Sequence, residues 1–556
     1  MSSHLLAIND GHDAGAALFS GDELVAAASR ERFTRKKFHG GFPEEVVDYL
    51  LDKFDLTLDD IQDIAVCNRH HFVYRLFQKQ FAGYSHTYLD LKQKMYSTFH
   101  HILAKSGVLS SLSAALNRKF VQRSLGKRVV LVDHHTAHAA SAYFTSGFPD
   151  ALAVTMDHLG DGYAACVFDC RDGRCRFLYG STPLHSPGQY YGEITEFLGF
   201  DPLKHAGKIT GLAAFGDPRP AYPVLKKFFS YNPKRKDFSM PFMLTRSFRS
   251  RIYRELGPFS REDVAAGLQR CFEEAISAYV LQALETTDHH FLVLAGGVFG
   301  NVKLNQRLME LEKVRQIYIH PAMNDSGLAV GAGLHFLSGK RDLRPSPMPT
   351  VYLGPAYTEA HLASVLADSG LAFKRCENVA EETAFLLSEG KVVARFNGRM
   401  EYGPRALGNR SILVSAVDPS INQALNRRLD RTEFMPFAPT ILEEFADRCL
   451  VDRTKASLTS RFMNITFDCT PWMNEKAPAV VHVDGTARPQ ILREQDNPSY
   501  YAVCKNYYER TGIPVIINTS FNMHEEPIVR TPEDALRAFR QDCADYLTMG
   551  NFLVSP

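Results

Sequence analysis

His134 and His138 stand four residues apart in the segment Val132-Asp133-His134-His135-Thr136-Ala137-His138-Ala139-Ala140-Ser141-Ala142-Tyr143. Its alanine-rich composition favours a helix, and on a helix positions four apart share one face, roughly 6 Å from each other. Asp157 ends a second apolar run, Leu152 to Met156, just before a glycine turn. Two imidazoles and a carboxylate brought together are ligands for a borderline divalent metal. His135 lies about 100° round the same helix from His134, which assigns it to substrate contact or to the outer sphere. The competing reading is a buried helix start whose histidines act as caps, since HxxxH pairs also arise by chance.

A second chemistry-bearing stretch follows the apolar run Val392 to Phe396. It reads Asn397-Gly398-Arg399-Met400-Glu401-Tyr402-Gly403-Pro404-Arg405-Ala406-Leu407-Gly408-Asn409-Arg410. Three arginines in a glycine-rich loop form an anion site by composition, with backbone donors beside guanidinium forks. Surface arginines in a turn are the alternative. Arg427, Arg428, Arg431 and Arg488 lie in the same half, and Ile516 to Asn522 is a strand running into a polar loop. Gly296-Gly297, directly after the apolar run Phe291 to Ala295, would let a nucleotide approach the backbone, or would simply make a tight turn.

The elements that must position these residues follow a repeated grammar. Leu5 to Phe19 reads as strand, polar turn and strand, and Ser20-Gly21-Asp22-Glu23 turns into a third strand, Leu24 to Ala28. The unit recurs as a strand Ala151 to Met156, a turn Asp157 to Gly162, a strand Ala164 to Phe168, a turn Arg171-Asp172-Gly173-Arg174 and a strand Phe177 to Gly180. The repetition predicts a duplicated fold. Val129 to Val132 and Gln316 to Ile319 are further strands, and Leu328 to Leu337 is a small-residue helix. Asp325 stands where a strand hands over to that helix, and Ser326 there has the type of an N-cap. Residues 70–127 read as a helical, mildly basic insertion and Lys226 to Arg254 as a solvated basic–aromatic stretch. The Pro-rich charged segment 339–352 reads as a linker between separable halves.

A chain of 556 residues has room for two or three domains. Hydrophobic content of 45% and charged content of 22% are those of a soluble globular enzyme. The formal net charge of +1 provides no global field to recruit nucleic acid or membrane. No run of eighteen apolar residues and no signal peptide are present, so a cytoplasmic location is expected. The ten cysteines are scattered singly without a CxxC, which suits reduced thiols; Cys170 and Cys175 flank a turn as cross-strand neighbours. A P-loop, a G-x-S-x-G elbow and a GxGxxG after a strand are all absent.

At these residues the chain resembles the carbamoyltransferase family that includes the tobramycin, cephamycin and novobiocin O-carbamoyltransferases and the nodulation carbamoyltransferases. The shared segments are His134 to Tyr143, Lys208 to Gly216, Ala295 to Val298, Gly403 to Ile412, Phe434 to Pro439 and Asn518 to Asn522. The resemblance implies an α/β protein with an N-terminal, duplicated actin/hexokinase/Hsp70-like carbamoyl transfer domain over 1–345. A C-terminal YrdC-like domain over 352–556 would form carbamoyl-adenylate from ATP and carbamoyl phosphate. It implies His134, His138, Asp157 and Asp325 as metal ligands, with iron(II) the expected ion and zinc or manganese suited to the same donors. Nucleotide contacts are implied at Gly11, His12, Asp13, Lys208, Gly296 and Gly297, and an adenylation site at Arg405, Arg410, Arg431, Arg488, Asn518 and Ser520. His134, His138, Arg405 and Arg488 take the catalytic roles. The chain departs from the usual family pattern at Ala206, where an acid is common, and at His158, where glycine is common. The expected reaction is carbamoyl transfer to a hydroxyl of a small natural product, an antibiotic precursor among them, or of a sugar. The alternative is transfer to a nitrogen or to a nucleoside in RNA, for which the basic stretch 226–254 is the one supporting feature. Oligomeric state and acceptor identity are not encoded in any of these motifs.

Overall fold

The computed structural model describes residues 3–69, 102, 106–240, 246–431 and 434–556. It divides into two compact units. One comprises residues 1–27 and 40–348, the other residues 28–39 and 349–556.

The first unit holds two five-stranded sheets of the same topology. In the first, the strands are β1 (His4–Asn9), β2 (Gly15–Ser20), β3 (Glu23–Ser29), β4 (Ile61–Cys67) and β5 (Val129–Val132), in the order β3-β2-β1-β4-β5. In the second they are β6 (Asp150–Gly160), β7 (Tyr163–Arg171), β8 (Arg174–Ser181), β11 (Phe291–Ala295) and β12 (Gln316–Ile319), in the order β12-β11-β6-β7-β8. A small ribbon, β9 (Ser230–Asn232) with β10 (Asp237–Ser239), lies between them in sequence. In each sheet the first strand pairs antiparallel with the second and parallel with the fourth, and the fourth pairs parallel with the fifth. The duplication expected from the repeated grammar is therefore present.

Two helices of small residues, His134–Phe144 and Leu328–Lys340, pack against each other. A Cβ added to Gly331 would sit 1.8 Å from the carbonyl oxygen of Ala137, so their backbones touch where side chains are smallest. The β7–β8 connection is a two-residue turn with Asp172 and Gly173 both at positive φ, and Cys170 and Cys175 are partners across it as expected.

One predicted turn is corrected. Residues 157–160 belong to β6, and the register of β6 on β7 slips between Met156 and Gly160. The bulge swings Asp157 out of the ladder, and the actual turn is Asp161-Gly162. The linker is corrected too. The helix runs to Lys340, and Ser346 and Met348 donate backbone hydrogen bonds to Phe144 and Thr145, fastening the segment to the first unit. Most of the predicted basic insertion, residues 70–101 and 103–105, lies outside the described residues.

The second unit is an α/β domain on an eight-stranded mixed sheet. Its strands are β13 (Ala372–Arg375), β14 (Val393–Phe396), β15 (Arg410–Ser415), β16 (Ala438–Leu442), β19 (Gln490–Leu492), β20 (Val515–Ser520), β21 (Tyr546–Met549) and β22 (Phe552–Ser555), ordered β13-β22-β21-β14-β15-β20-β16-β19. A ribbon of β17 (Phe467–Asp468) and β18 (Thr486–Ala487) accompanies it. The boundary at 352 was read from the linker's composition. The unit also takes in Ala28–His39, far upstream, through arginine contacts that composition does not announce.

Candidate metal centre and arginine loop

The parallel strands of the first unit deliver their following loops to one place. β5 ends beside β4, with Val132 opposite Cys67, so His134 emerges next to Asn68. β11 ends with Ala295 opposite Thr155 of β6, which sets Gly296-Gly297 beside Met156-Asp157. Crevices at the carboxyl ends of parallel strands are the usual ligand sites of α/β folds.

The helix His134–Phe144 starts where Asp133 accepts the backbone N–H of Thr136. Asp161 accepts the N–H of His134 at 2.9 Å and that of Arg69 at 2.8 Å. His134 and His138 then project from one face with ring centroids 4.8 Å apart. Their Nε2 atoms face the bulged Asp157 and Asp325, which opens the turn before the helix Leu328–Lys340. His138 Nε2 is 3.3 Å from Asp157 and 3.4 Å from Asp325; His134 Nε2 is 3.9 and 3.7 Å from the same carboxylates. All four ligand atoms lie within 4.8 Å of one another.

Those spacings fit a shared cation. Ligands about 2.1 Å from one ion are separated by roughly 3.0–3.4 Å when adjacent and about 4.2 Å when opposed. His134 Nε2, His138 Nε2 and Asp325 Oδ1 are also buried with no hydrogen-bond partner. Lone pairs left this way cost free energy unless a cation or proton meets them. The local electrostatics point the same way. Burial opposes charge on His134, but Asp325, Asp157 and Asp161 push its pKa up to about 9. Burial likewise opposes charge on Asp157, yet His134 and His138 hold its carboxyl well below the usual range.

His135 is spoken for elsewhere. Its Nε2–H donates to the carbonyl of Tyr163 at 3.0 Å, and its Nδ1 lies 2.8 Å from the Thr155 hydroxyl. Burial, with His134 beside it, pushes its pKa down to about 3. His158 presents an exposed side chain, and its backbone N–H donates to Asp157 at 2.9 Å.

Two glycines here are required by contact. Gly296 has φ 110°, and a Cβ on it would fall 2.0 Å from the Met156 carbonyl oxygen. A Cβ on Gly160 would fall 2.1 Å from the His134 ring. Gly297 donates its N–H to Asp157 at 3.0 Å. The Gly296-Gly297 pair, expected to admit a nucleotide, thus also holds a metal-type carboxylate. Asp13 accepts from Asn324, the neighbour of Asp325, at 2.6 Å, so the turn Gly11-His12-Asp13 is tied to the same centre. Lys208 is buried in the helix Ala206–Leu212.

In the second unit the loop between β14 and β15 is closed by its own groups. Glu401, buried, accepts with one oxygen the backbone N–H groups of Leu407, Asn409 and Arg410, at 2.9, 2.7 and 3.1 Å. Arg410 was expected to bind the substrate anion. Its guanidinium is instead wholly buried and stacked 3.7 Å from the Phe396 ring centroid. Its Nη atoms donate to the carbonyls of Asn397, Asn409, Pro355 and Gly398. Burial lowers its pKa to about 10. Arg410 clamps the loop, while Arg405 and Arg488 remain half-buried. Arg431 and Ser520 are brought together: the guanidinium spans Thr519, Ser520 and Asn522 at 2.9–3.1 Å. Asn518 is buried, donating to Gln490 at 2.9 Å and to Thr440 at 3.3 Å.

The chain as a whole is similar to known proteins. A model of the carbamoyltransferase N-terminus matches residues 4–334, and one of the carbamoyltransferase C-terminus matches residues 384–556. The chain belongs to the carbamoyltransferase family. Nodulation protein NolNO of Sinorhizobium fredii is 30% identical over 552 residues, covering 98% of this chain and 79% of that protein. Nodulation protein NolO of Bradyrhizobium diazoefficiens is 34% identical over 443 residues, covering 76% and 78%. An uncharacterised protein of Methanocaldococcus jannaschii is 30% identical over 566 residues, covering 99% of both chains. Among solved structures, full-length HypF aligns with 60% of this chain and 55% of its own, at 14% identity and a TM-score of 0.33.

Sequence reading of this carbamoyltransferase missed Asn9, Asn68, Asp161 and Glu401. Each acts by holding another group, and none has a ligand-like spacing. Only the Gly160-Asp161-Gly162 triplet carried a signal, as a turn. Arg32 and Arg35 were missed as well. Arg32 donates to the Gly403 carbonyl at 3.1 Å, and Arg35 to the carbonyls of Ile528 and Pro527, both at 2.7 Å. Among the described residues no helix of the carbamoyltransferase is long and apolar enough to cross a membrane.

Proposed function

We propose that this carbamoyltransferase uses ATP and carbamoyl phosphate to carbamoylate a hydroxyl of a small acceptor. Carbamoyl phosphate hydrolyses to carbamate and phosphate. A carbamate oxygen then attacks the α-phosphorus of ATP, pyrophosphate leaves, and carbamoyl-adenylate results. The acceptor oxygen attacks the carbamoyl carbon, the bond to AMP breaks, and the hydroxyl proton is lost. Adenylation joins two anions, which requires fixed cations and backbone donors. The loop held by Glu401 and Arg410, with Arg405, Arg431 and Arg488 in the same unit, supplies them. Glu401 and Arg410 maintain the loop, and the exposed parts of Arg405 and Arg488 serve the anion.

Transfer belongs to the first unit. The single observation that carries this is the convergence of His134, His138, Asp157 and Asp325, with buried lone pairs on His134, His138 and Asp325 unmet. A divalent ion held by these four would act as a Lewis acid on the carbamoyl oxygen, and the donor set suits iron(II), zinc or manganese. Gly297, donating to Asp157, orients that ligand. The mixed anhydride is labile in water, which favours its use within the protein that makes it. The test is mass spectrometry after incubation with ATP, carbamoyl phosphate and a pool of hydroxylated metabolites. Gain of one carbamoyl group on a hydroxyl, dependent on both co-substrates, is expected; a product formed without ATP would overturn the scheme.

A further inference from the structure

Behind His134 lies a pair of asparagine amides whose orientation is dictated by backbone groups. Asn9, fully buried, has an oxygen that accepts the N–H of Gly11 at 3.0 Å. Its nitrogen donates to the carbonyls of His12 at 2.9 Å and Asp325 at 3.0 Å, with a longer contact to that of Asp13 at 3.3 Å. A backbone N–H can only donate and a carbonyl can only accept, so the Asn9 amide has one orientation. Asn68 lies 2.7 Å from the Asn9 oxygen and must therefore turn its own nitrogen there. That leaves the Asn68 oxygen facing His134 Nδ1 at 2.9 Å. An amide oxygen accepts only, so Nδ1 carries a proton, and in the neutral ring that a cation requires the lone pair is then on Nε2. Nε2 is the atom that faces Asp157 and Asp325.

We propose that Asn68 and Asn9 are positioning residues of the metal centre, fixing His134 as the tautomer that can ligate and tying it to the backbone of Asp325. The relay joins a ligand of the first small-residue helix to one before the second. It runs through the ends of β1 and β4. Metal-bound histidines commonly donate their other N–H to such a partner, and loss of the partner lowers metal affinity about 10–100-fold. The space is closely set: a Cβ on Gly11 would fall 2.6 Å from the Asn68 nitrogen.

The inference rests on the metal reading of the four ligands, and the experiment separates the two. Full-length protein, freed of metal, is titrated with cobalt(II) against a competing chelator while its visible absorption and thermal unfolding are followed. Asn68→Leu removes the acceptor and is expected to weaken cobalt binding 10–100-fold, with an altered d–d spectrum. Asn68→Asp keeps an oxygen for Nδ1–H and is expected to retain most of the wild-type affinity, although its contact with Asn9 is lost. A folded leucine variant that binds cobalt as the wild type does would overturn the proposal, as would equal losses in both variants. If wild-type protein binds no cobalt, the metal centre itself falls, and the relay with it.

Discussion

At the scale of single residues, the first unit sets its candidate metal ligands in place through contacts too close for other side chains. Gly160 is the clearest case, because the His134 ring occupies the place of its Cβ. Gly160→Ala is expected to displace His134, costing about 1–3 kcal/mol in stability and releasing the metal. Unfolding and metal analysis on the same sample check this, and full metal occupancy would show that the ring can yield. The arginines divide by their partners. Arg405→Ala and Arg488→Ala each remove an anion contact of roughly 1.5–3 kcal/mol, a ten- to hundredfold loss in carbamoyl-phosphate-dependent pyrophosphate release, with little change in melting temperature. Arg410→Ala should instead lower the melting temperature, because four backbone carbonyls lose their donor. If Arg410→Ala melts like the wild type, its assignment as a clamp is wrong.

At the scale of elements, the segment Ala28–His39 changes where the C-terminal unit begins. It carries Arg32, against Gly403 of the arginine loop, and Arg35, against Pro527, Ile528 and the Asp534 carboxylate at 3.5 Å. Arg530 in turn lies over the Phe33 ring, 4.5 Å from its centroid. A fragment of residues 349–556 alone is expected to give no pyrophosphate release, and one with 28–39 joined to it should recover activity. In the full chain, Arg32→Ala should depress pyrophosphate release and leave cobalt binding unchanged. Activity in the bare 349–556 fragment would show that the segment is dispensable.

At the scale of the whole molecule, the sequence made some features legible and hid others for physical reasons. Strands with uniform apolar runs were read to the residue: Val129–Val132, Phe291–Ala295 and Gln316–Ile319 all stand as expected. The duplication was visible because both copies repeat the same turn chemistry. The candidate metal set was legible except for one member. His134 and His138 announce themselves by helical spacing and Asp157 by its place at the end of an apolar run, whereas Asp325 needed the resemblance. Asn9 and Asn68 were invisible, since an amide that orients a ligand has no period and no charge. The 28–39 segment was hidden because a chain that contributes to a distant unit leaves no mark in local composition.

The central claim is that activation and transfer are separate chemistries, the second depending on the metal centre. Its most direct test is to measure pyrophosphate release, bound metal and carbamoylated product together in full-length wild type, His138→Ala and Asp157→Ala. Both variants are expected to lose the metal and the product while still releasing pyrophosphate from ATP and carbamoyl phosphate. Product formed at the wild-type rate by metal-free His138→Ala, or pyrophosphate release that vanishes with the metal, would contradict it.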